Sequence, residues 1–155
     1  MFREMRRFKQ ALTEEECAEI LRRERRGVLA TLGDDGYPYA VPLDFVYDDG
    51  KIYFHCAGEG HKIDATRRCD KASFCVTEQG ERAPGEWWFK VRSVIAFGRV
   101  RMLEDRDEVL SRVRALGLKY AAPDYVEKEI QKDGKRVQCL ELTIEHMTGK
   151  RVNEK

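Results

Sequence analysis

The sequence predicts a mainly β fold with peripheral helices, a six-stranded antiparallel sheet closed or split into a barrel. Three observations carry this prediction. Apolar residues alternate along short stretches, most clearly where Tyr39, Val41, Leu43, Phe45 and Tyr47 interleave with Ala40, Pro42, Asp44 and Val46. Turn residues such as Asp48-Asp49-Gly50 separate one stretch from the next. The long run Phe89 to Leu103 carries Gly98 in its middle, the place for a bend that closes a barrel and so removes edge strands.

The elements follow in order. Residues 1–12 read as a basic, partly mobile arm, after which Thr13 and Glu16 form a capping box that starts a helix with Cys17, Ile20 and Leu21 on one face. GVLATL (27–32) is a β-type run, and the turn 33–36 leads into a hairpin of Tyr39–Tyr47 against Ile52–Ala57. A helix spans about His61 to Cys69, and ASFCVT (72–77) is the next strand. After a loop rich in glycine, proline and charge (79–86) comes the long strand, with Val94, Ala96, Val100 and Met102 on one face together with Arg92 and Gly98. Asp105 and Glu108 cap a second amphipathic helix, and Pro123 opens a third that runs to about Lys132. The last strand, 136–145, places Leu140, Leu142 and Ile144 on one face and Cys139, Glu141 and Thr143 on the other.

At 155 residues the chain fits one domain, 1–155, with a modest core. Its 29 Lys and Arg against 28 Asp and Glu leave a net charge of +1, no field to draw nucleic acid or an anionic membrane. No apolar run approaches a membrane span and the charged N-terminus lacks the apolar core of a signal peptide, so a cytoplasmic location is expected. Five cysteines without a CxxC pair argue against a disulfide framework and a zinc knuckle. The cluster His55, Cys56, His61 and Cys69 matches no metal-ligand spacing.

The functional signal lies after the hairpin. Gly58 and Gly60 leave the backbone bare just before His61-Lys62-Ile63, a strand end feeding a helix start. Such a junction offers free N–H groups and the positive end of a helix dipole, and Lys62 adds a full charge, so a phosphate fits; an ordinary turn with a solvated lysine fits the same residues. Pro42 has no N–H for a sheet ladder and marks either an edge or a bulge near Val41 and Leu43, where free backbone groups can meet a planar ligand. His55 is either a hydrogen-bonded structural histidine or a proton donor, since histidine titrates near neutrality. Cys56 reads as a small buried thiol, and Trp87 and Trp88 as core or interface anchors.

Val41 to Lys62, taken with RSVIAFG (92–98), resembles the pyridoxamine 5′-phosphate oxidase-like flavin-binding split-barrel family, and within it the nitroimidazole-resistance type. The resemblance covers about Gly27 to Gly149 and is most specific at FHCAGEGHK and RSVIAFG. It implies the FMN-binding split barrel and FMN held at a homodimer interface. On that resemblance Tyr39, Val41, Pro42 and Leu43 border the flavin largely through backbone, and His55 and Cys56 reach the ribityl chain and ring. Gly60, His61 and Lys62 hold the phosphate, and Ser93 is a polar flavin contact. The ending HMTGKRVNEK lacks the arginine-rich, tryptophan-containing substrate motif of the vitamin B6 oxidases, which argues against pyridoxamine phosphate as substrate. The expected activity is FMN-dependent reduction of a nitroaromatic or other small acceptor by a nicotinamide donor, with His55 as a candidate catalytic residue. A flavin-binding module without turnover, a relative of the B6 oxidases with another substrate, and a barrel holding haem or a deazaflavin are the alternatives.

Overall fold

The computed structural model describes residues 1–152; the last three residues of the HMTGKRVNEK ending lie outside them. The strands are β1 (Arg26–Leu32), β2 (Pro38–Asp44), β3 (Val46–Asp48), β4 (Lys51–Cys56), β5 (Lys71–Thr77), β6 (Val91–Met102) and β7 (Gln138–Val152). They make one antiparallel sheet in the order β2-β1-β5-β6-β7-β4-β3. The helices are α1 (Glu14–Arg23), α2 (His61–Arg68), α3 (Arg106–Tyr120) and α4 (Pro123–Asp133).

The described residues form seven strands where six were expected, because the stretch Tyr39–Tyr47 is not one strand. β2 pairs with β1, whereas β3 pairs with β4, and Phe45 lies between them. The expected hairpin is thus only the short β3–β4 pair. β2 and β3 stand at opposite edges of the sheet order. Laid flat, those edges would be roughly 29 Å apart at about 4.8 Å per strand. One residue cannot span that, so the sheet curls until its edges meet at Phe45, giving a split barrel.

Leaving both ladders exposes the polar backbone of Phe45, and α3 satisfies it. The Phe45 N–H donates to the Tyr120 hydroxyl at 2.9 Å, and its carbonyl accepts from Lys119 Nζ at 3.2 Å. The Phe45 side chain is fully buried and meets Phe74 edge-on, with ring centres 4.9 Å apart. Phe54 contacts Phe74 in the same manner from β4. Around them Leu29, Val94, Ala96, Leu140 and Leu142 fill the barrel, and Ile20 and Leu21 of α1 close one end.

β6 and β7 form the longest pairing. Gly98 is required there: a Cβ at this position would lie 2.0 Å from the Thr143 carbonyl oxygen. Phe97 faces His146 and Gly98 faces Ile144, which leaves Glu145 as the extra residue of a bulge. The bulge also explains why β7 runs seven residues past its expected end at Glu145. Before it Leu140 and Leu142 point inward; after it Met147 and Gly149 do, so the alternation shifts by one and ceases to be legible. The opposite face of β7 is covered as well, because Tyr53, Leu103, Val109 and Cys139 form a second cluster with α3.

The cap signals are realised. In α1 the Glu16 N–H donates to Thr13 Oγ1 at 3.2 Å while Thr13 N–H donates to the Glu16 carboxylate at 2.8 Å. Asp105 accepts from the Glu108 N–H, and Pro123 is the first residue of α4. The N-terminal segment is seated on the sheet: Leu12 N–H donates to the Gly149 carbonyl, and Phe2 stacks on His146 at 4.7 Å. Among the described residues no helix is long and apolar enough to cross a membrane.

Candidate functional site

β4 ends at Cys56, four residues follow, and α2 begins at His61. Gly60 turns the chain there with φ +123° and ψ 169°, a conformation that L side chains rarely adopt. A Cβ at Gly60 would meet nothing within 4 Å, so the demand for glycine is conformational and the space in front of it is open. The Gly60 carbonyl accepts from the amides of Ile63 and Asp64, at 2.9 and 3.0 Å. The amides of His61 and Lys62 have no acceptor among the described residues, and no side chain caps the helix. Ile63, Ala65 and Thr66 bury the opposite side of α2, which fixes the direction of those free donors.

Two side chains complete the junction. The His61 ring stacks on Tyr39 of β2, with centroids 4.0 Å apart and planes at 29°. Its Nε2 lies 3.7 Å from Asp34, whose carboxylate is also paired with Arg68. The hydrogen bond from Arg68 holds the Asp34 carboxyl below its usual range, so this orienting charge persists to low pH. Lys62 is half-buried and pairs with no carboxylate among the described residues. Its ammonium is felt at Cys56, where burial pushes the thiol up to about 11 and Lys62 opposes the shift. Cys56 is therefore a protonated thiol at neutral pH, not a nucleophile.

The remaining predicted positions fall in three places. On β2 the side chains of Val41 and Leu43 pack inward against the core, while Pro42 is exposed on the other face, opposite Val28. β2 is the sheet edge that Pro42 foretold, bonded to β1 on one side. His55 and Cys56 are neighbours on β4 and point to opposite faces: Cys56 joins the core, and His55 is exposed opposite Cys139. Ser93 on β6 pairs with Thr77 and Lys150. It lies three strands from β2, about 14 Å across the sheet. One chain thus gathers Tyr39, Cys56, Gly60, His61 and Lys62, and leaves His55 and Ser93 outside that group.

Two features escaped the sequence reading. Asp34, which lies 3.7 Å from His61 Nε2, and Arg68, which pairs with Asp34, are far apart in sequence and carried no motif. The outer face of the sheet carries Val28, Leu32, Ile95 and Phe97 partly exposed, at 36–48%. The signal for the second was present, since VIAF and GVLATL are apolar on both alternating faces, the pattern of strands covered on both sides. Trp87 stands out at 85% exposure, and Trp88 donates its indole N–H to Glu86 at 2.8 Å.

Two clefts flank these elements. One of about 480 Å3 lies beside the glycine loop and is lined by residues from Cys56 to Glu59 and by Asp133, Arg136 and Val137. Another of about 500 Å3, lined by Glu78, Lys90, Arg92 and Arg151 among others, opens at the far end of β6.

Comparison with known proteins adds to this geometry. The family model described as pyridoxamine 5′-phosphate oxidase matches residues 13–151. No curated protein is similar enough in sequence to be matched. Among solved structures, a candidate 5-nitroimidazole antibiotic resistance protein from Bacteroides thetaiotaomicron superposes with a TM-score of 0.75 at 18% identity, over 93% of this chain and 90% of that one. A FAD-binding protein from Mesorhizobium loti gives 0.66 at 25% identity, over 92% and 97%. A flavocytochrome from Azotobacter vinelandii gives 0.81 at 18%, over 97% and 73%.

Proposed function

Since the chain belongs to the pyridoxamine 5′-phosphate oxidase family, we propose that it is an FMN-dependent oxidoreductase, active as a homodimer, that passes electrons from a reduced nicotinamide donor to a small acceptor such as a nitroaromatic. The observation that carries the reading is the uncapped start of α2: two amides, at His61 and Lys62, and an ammonium that have no acceptor or carboxylate partner among the described residues, and open space before Gly60. A dianionic phosphate supplies the acceptors this junction lacks, so the residues fit a flavin phosphate. Flavin-binding neighbours of the same fold support the same choice.

In this reading the amides of His61 and Lys62 and the Lys62 ammonium bind the phosphate, and the Tyr39–His61 stack, braced by Asp34, closes one side of it. The free edge of β2 from Tyr39 to Leu43 offers backbone groups to the ring. Bound flavin supplies the two-electron chemistry. His55, exposed at the end of β4, is the proposed proton donor, and Ser93 reaches the ring from the second subunit. The outer patch of Val28, Leu32, Ile95 and Phe97 is the proposed dimer surface, with Trp87 as an anchor on its partner.

Purified protein should carry a flavin absorbance spectrum, or acquire one with FMN, and should oxidise a reduced nicotinamide with an acceptor panel. Bound flavin without turnover above free FMN would make it a binding module. A colourless protein indifferent to FMN would end the flavin reading.

A further inference from the structure

The N-terminal segment is a cationic bow held to the sheet at two points. At one end Leu12 N–H donates to the Gly149 carbonyl at 3.0 Å, and at the other Phe2 stacks on His146 and meets Phe97 with ring centres 5.5 Å apart. Between them the chain turns tightly: Gln10 N–H donates to the Arg7 carbonyl at 2.9 Å, and Ala11 N–H to that of Phe8 at 3.1 Å. Arg3, Arg6, Arg7 and Lys9 stand here against Glu4 alone, in a chain whose net charge is +1, so the rest of the molecule is net negative. Positive charge is thus concentrated in residues 1–10.

Two adjoining hollows, of about 690 and about 270 Å3, open on this bow and share Arg6 and Phe8. Their lining supplies three kinds of group. Arg3, Arg6 and Lys9 pair with no carboxylate among the described residues. Phe8 presents its ring at 71% exposure. Gln10 lines the smaller hollow, and its Oε1 is buried without a hydrogen-bond donor, a costly state for an amide oxygen.

Cations, an open ring and an acceptor without a donor together suit an adenosine phosphate. Guanidinium and ammonium groups hold phosphate oxygens, a base stacks on an aromatic ring, and a side-chain amide reads the exocyclic amine of adenine. The charge indicates how many phosphates are held. A pyrophosphate bridge carries two negative charges, fewer than the bow's four cations less Glu4 require, and a 2′-phosphate adds about 1.5 to 2 more at neutral pH.

We propose that the bow binds the adenylate end of the reduced nicotinamide donor and selects the 2′-phosphorylated form, with Arg3 and Arg6 on that phosphate. The donor's role rests on the flavin reading above. There Ser93 meets the flavin held by the second subunit, and Phe97, under Phe2, lies on the same face of β6 about 13 Å away at roughly 3.3 Å per residue. A dinucleotide laid along this strand brings its nicotinamide to the ring while its adenylate stays on the bow.

The test is calorimetric titration of the full chain with adenosine 2′,5′-bisphosphate and with adenosine 5′-monophosphate, for wild type, Arg3→Ala/Arg6→Ala and Phe8→Ala. The bisphosphate should bind at least about tenfold tighter, the double arginine variant should erase that difference, and Phe8→Ala should weaken both nucleotides together. In the flavin-loaded enzyme the KM for the 2′-phosphorylated donor should lie at least about tenfold below that for the unphosphorylated one, and the double variant should bring the two together. Bisphosphate binding no tighter than monophosphate, equal KM values in the wild type, or a polyadenylate strand binding tighter than the bisphosphate overturns the assignment. The titration needs no flavin, so an empty bow overturns this assignment alone and a protein indifferent to FMN overturns the flavin reading. The wild-type comparison decides the case even where a variant melts early.

Discussion

The chain leaves regular structure on both sides of the β3–β4 pair, and the two breaks are handled in opposite ways. At Phe45 the strand switches sheet edges, and the freed backbone groups are taken up by Tyr120 and Lys119 of α3. Lys119 further donates to the carbonyls of Leu21 and Glu24 and sits 4.0 Å above the Phe45 ring. At Gly60 the strand gives way to a helix, and two amides and a lysine stay without acceptors among the described residues. α1 starts with a complete Thr13–Glu16 box and α3 with the Asp105 cap, whereas α4 like α2 has no side-chain cap; α2 differs in having Gly60 and Lys62 at its open start. The break at Phe45 satisfies its polar groups internally and is a seam, whereas the break at Gly60 presents helix-start amides and a lysine to solvent, donors suited to an anion.

The largest effect should come from Gly60→Ala, which forces a side chain into φ +123°. It should cost about 1–3 kcal/mol of stability and abolish flavin binding; denaturant unfolding and flavin titration measure the two. If affinity survives, the open break is not the ligand site. Tyr120→Phe strikes the closed break instead. Leaving the buried Phe45 N–H without its acceptor should cost about 1–3 kcal/mol in unfolding experiments, with flavin affinity intact.

Lys62→Ala should do the reverse, weakening flavin by about tenfold, or about 1.4 kcal/mol, with unfolding unchanged. The loss should shrink as salt is raised, because the lysine is half-exposed. A variant that unfolded early would place Lys62 in the scaffold.

The smallest effect is a pH dependence at the closed break. Burial drives the Lys119 ammonium down to about 8 from an ordinary 10.5. Above pH 8 the native state releases this proton while the unfolded chain keeps it, so stability rises with pH toward 10.5 and is lost as pH falls through 8. The buried thiols of Cys56 and Cys139, raised to about 11 and about 12 from 9.0, act in the other direction above pH 9. Wild type should therefore gain stability relative to Lys119→Met between pH 8 and pH 9, a window before the thiols intervene. A constant difference across that window would mean that solvent reaches the ammonium.

Local signals in this sequence were reliable where one segment decides its own state. The Thr13–Glu16 box, the Asp105 cap, Pro123 at a helix start and Gly60 before α2 all read correctly, because each depends on residues within four positions. Gly98 as a bend also held, since a close backbone approach leaves room for nothing larger. The stretch Tyr39–Tyr47 misled because its alternation continues through Phe45, and alternation carries no information about which neighbour a strand pairs with. β7 was cut short because the Glu145 bulge reverses its period.

The site divides along the same line. Sequence alone located the bare glycine loop, the lysine beside it and the proline of an edge strand, for these are chemical facts of single residues and their order. Only the folded barrel decided that Tyr39 stacks on His61, that the Asp34–Arg68 pair stands beside that ring, and that His55 and Cys56 face opposite ways. Those contacts join residues 22 to 34 positions apart, and their geometry is fixed by sheet closure at Phe45, which no local stretch of chain encodes.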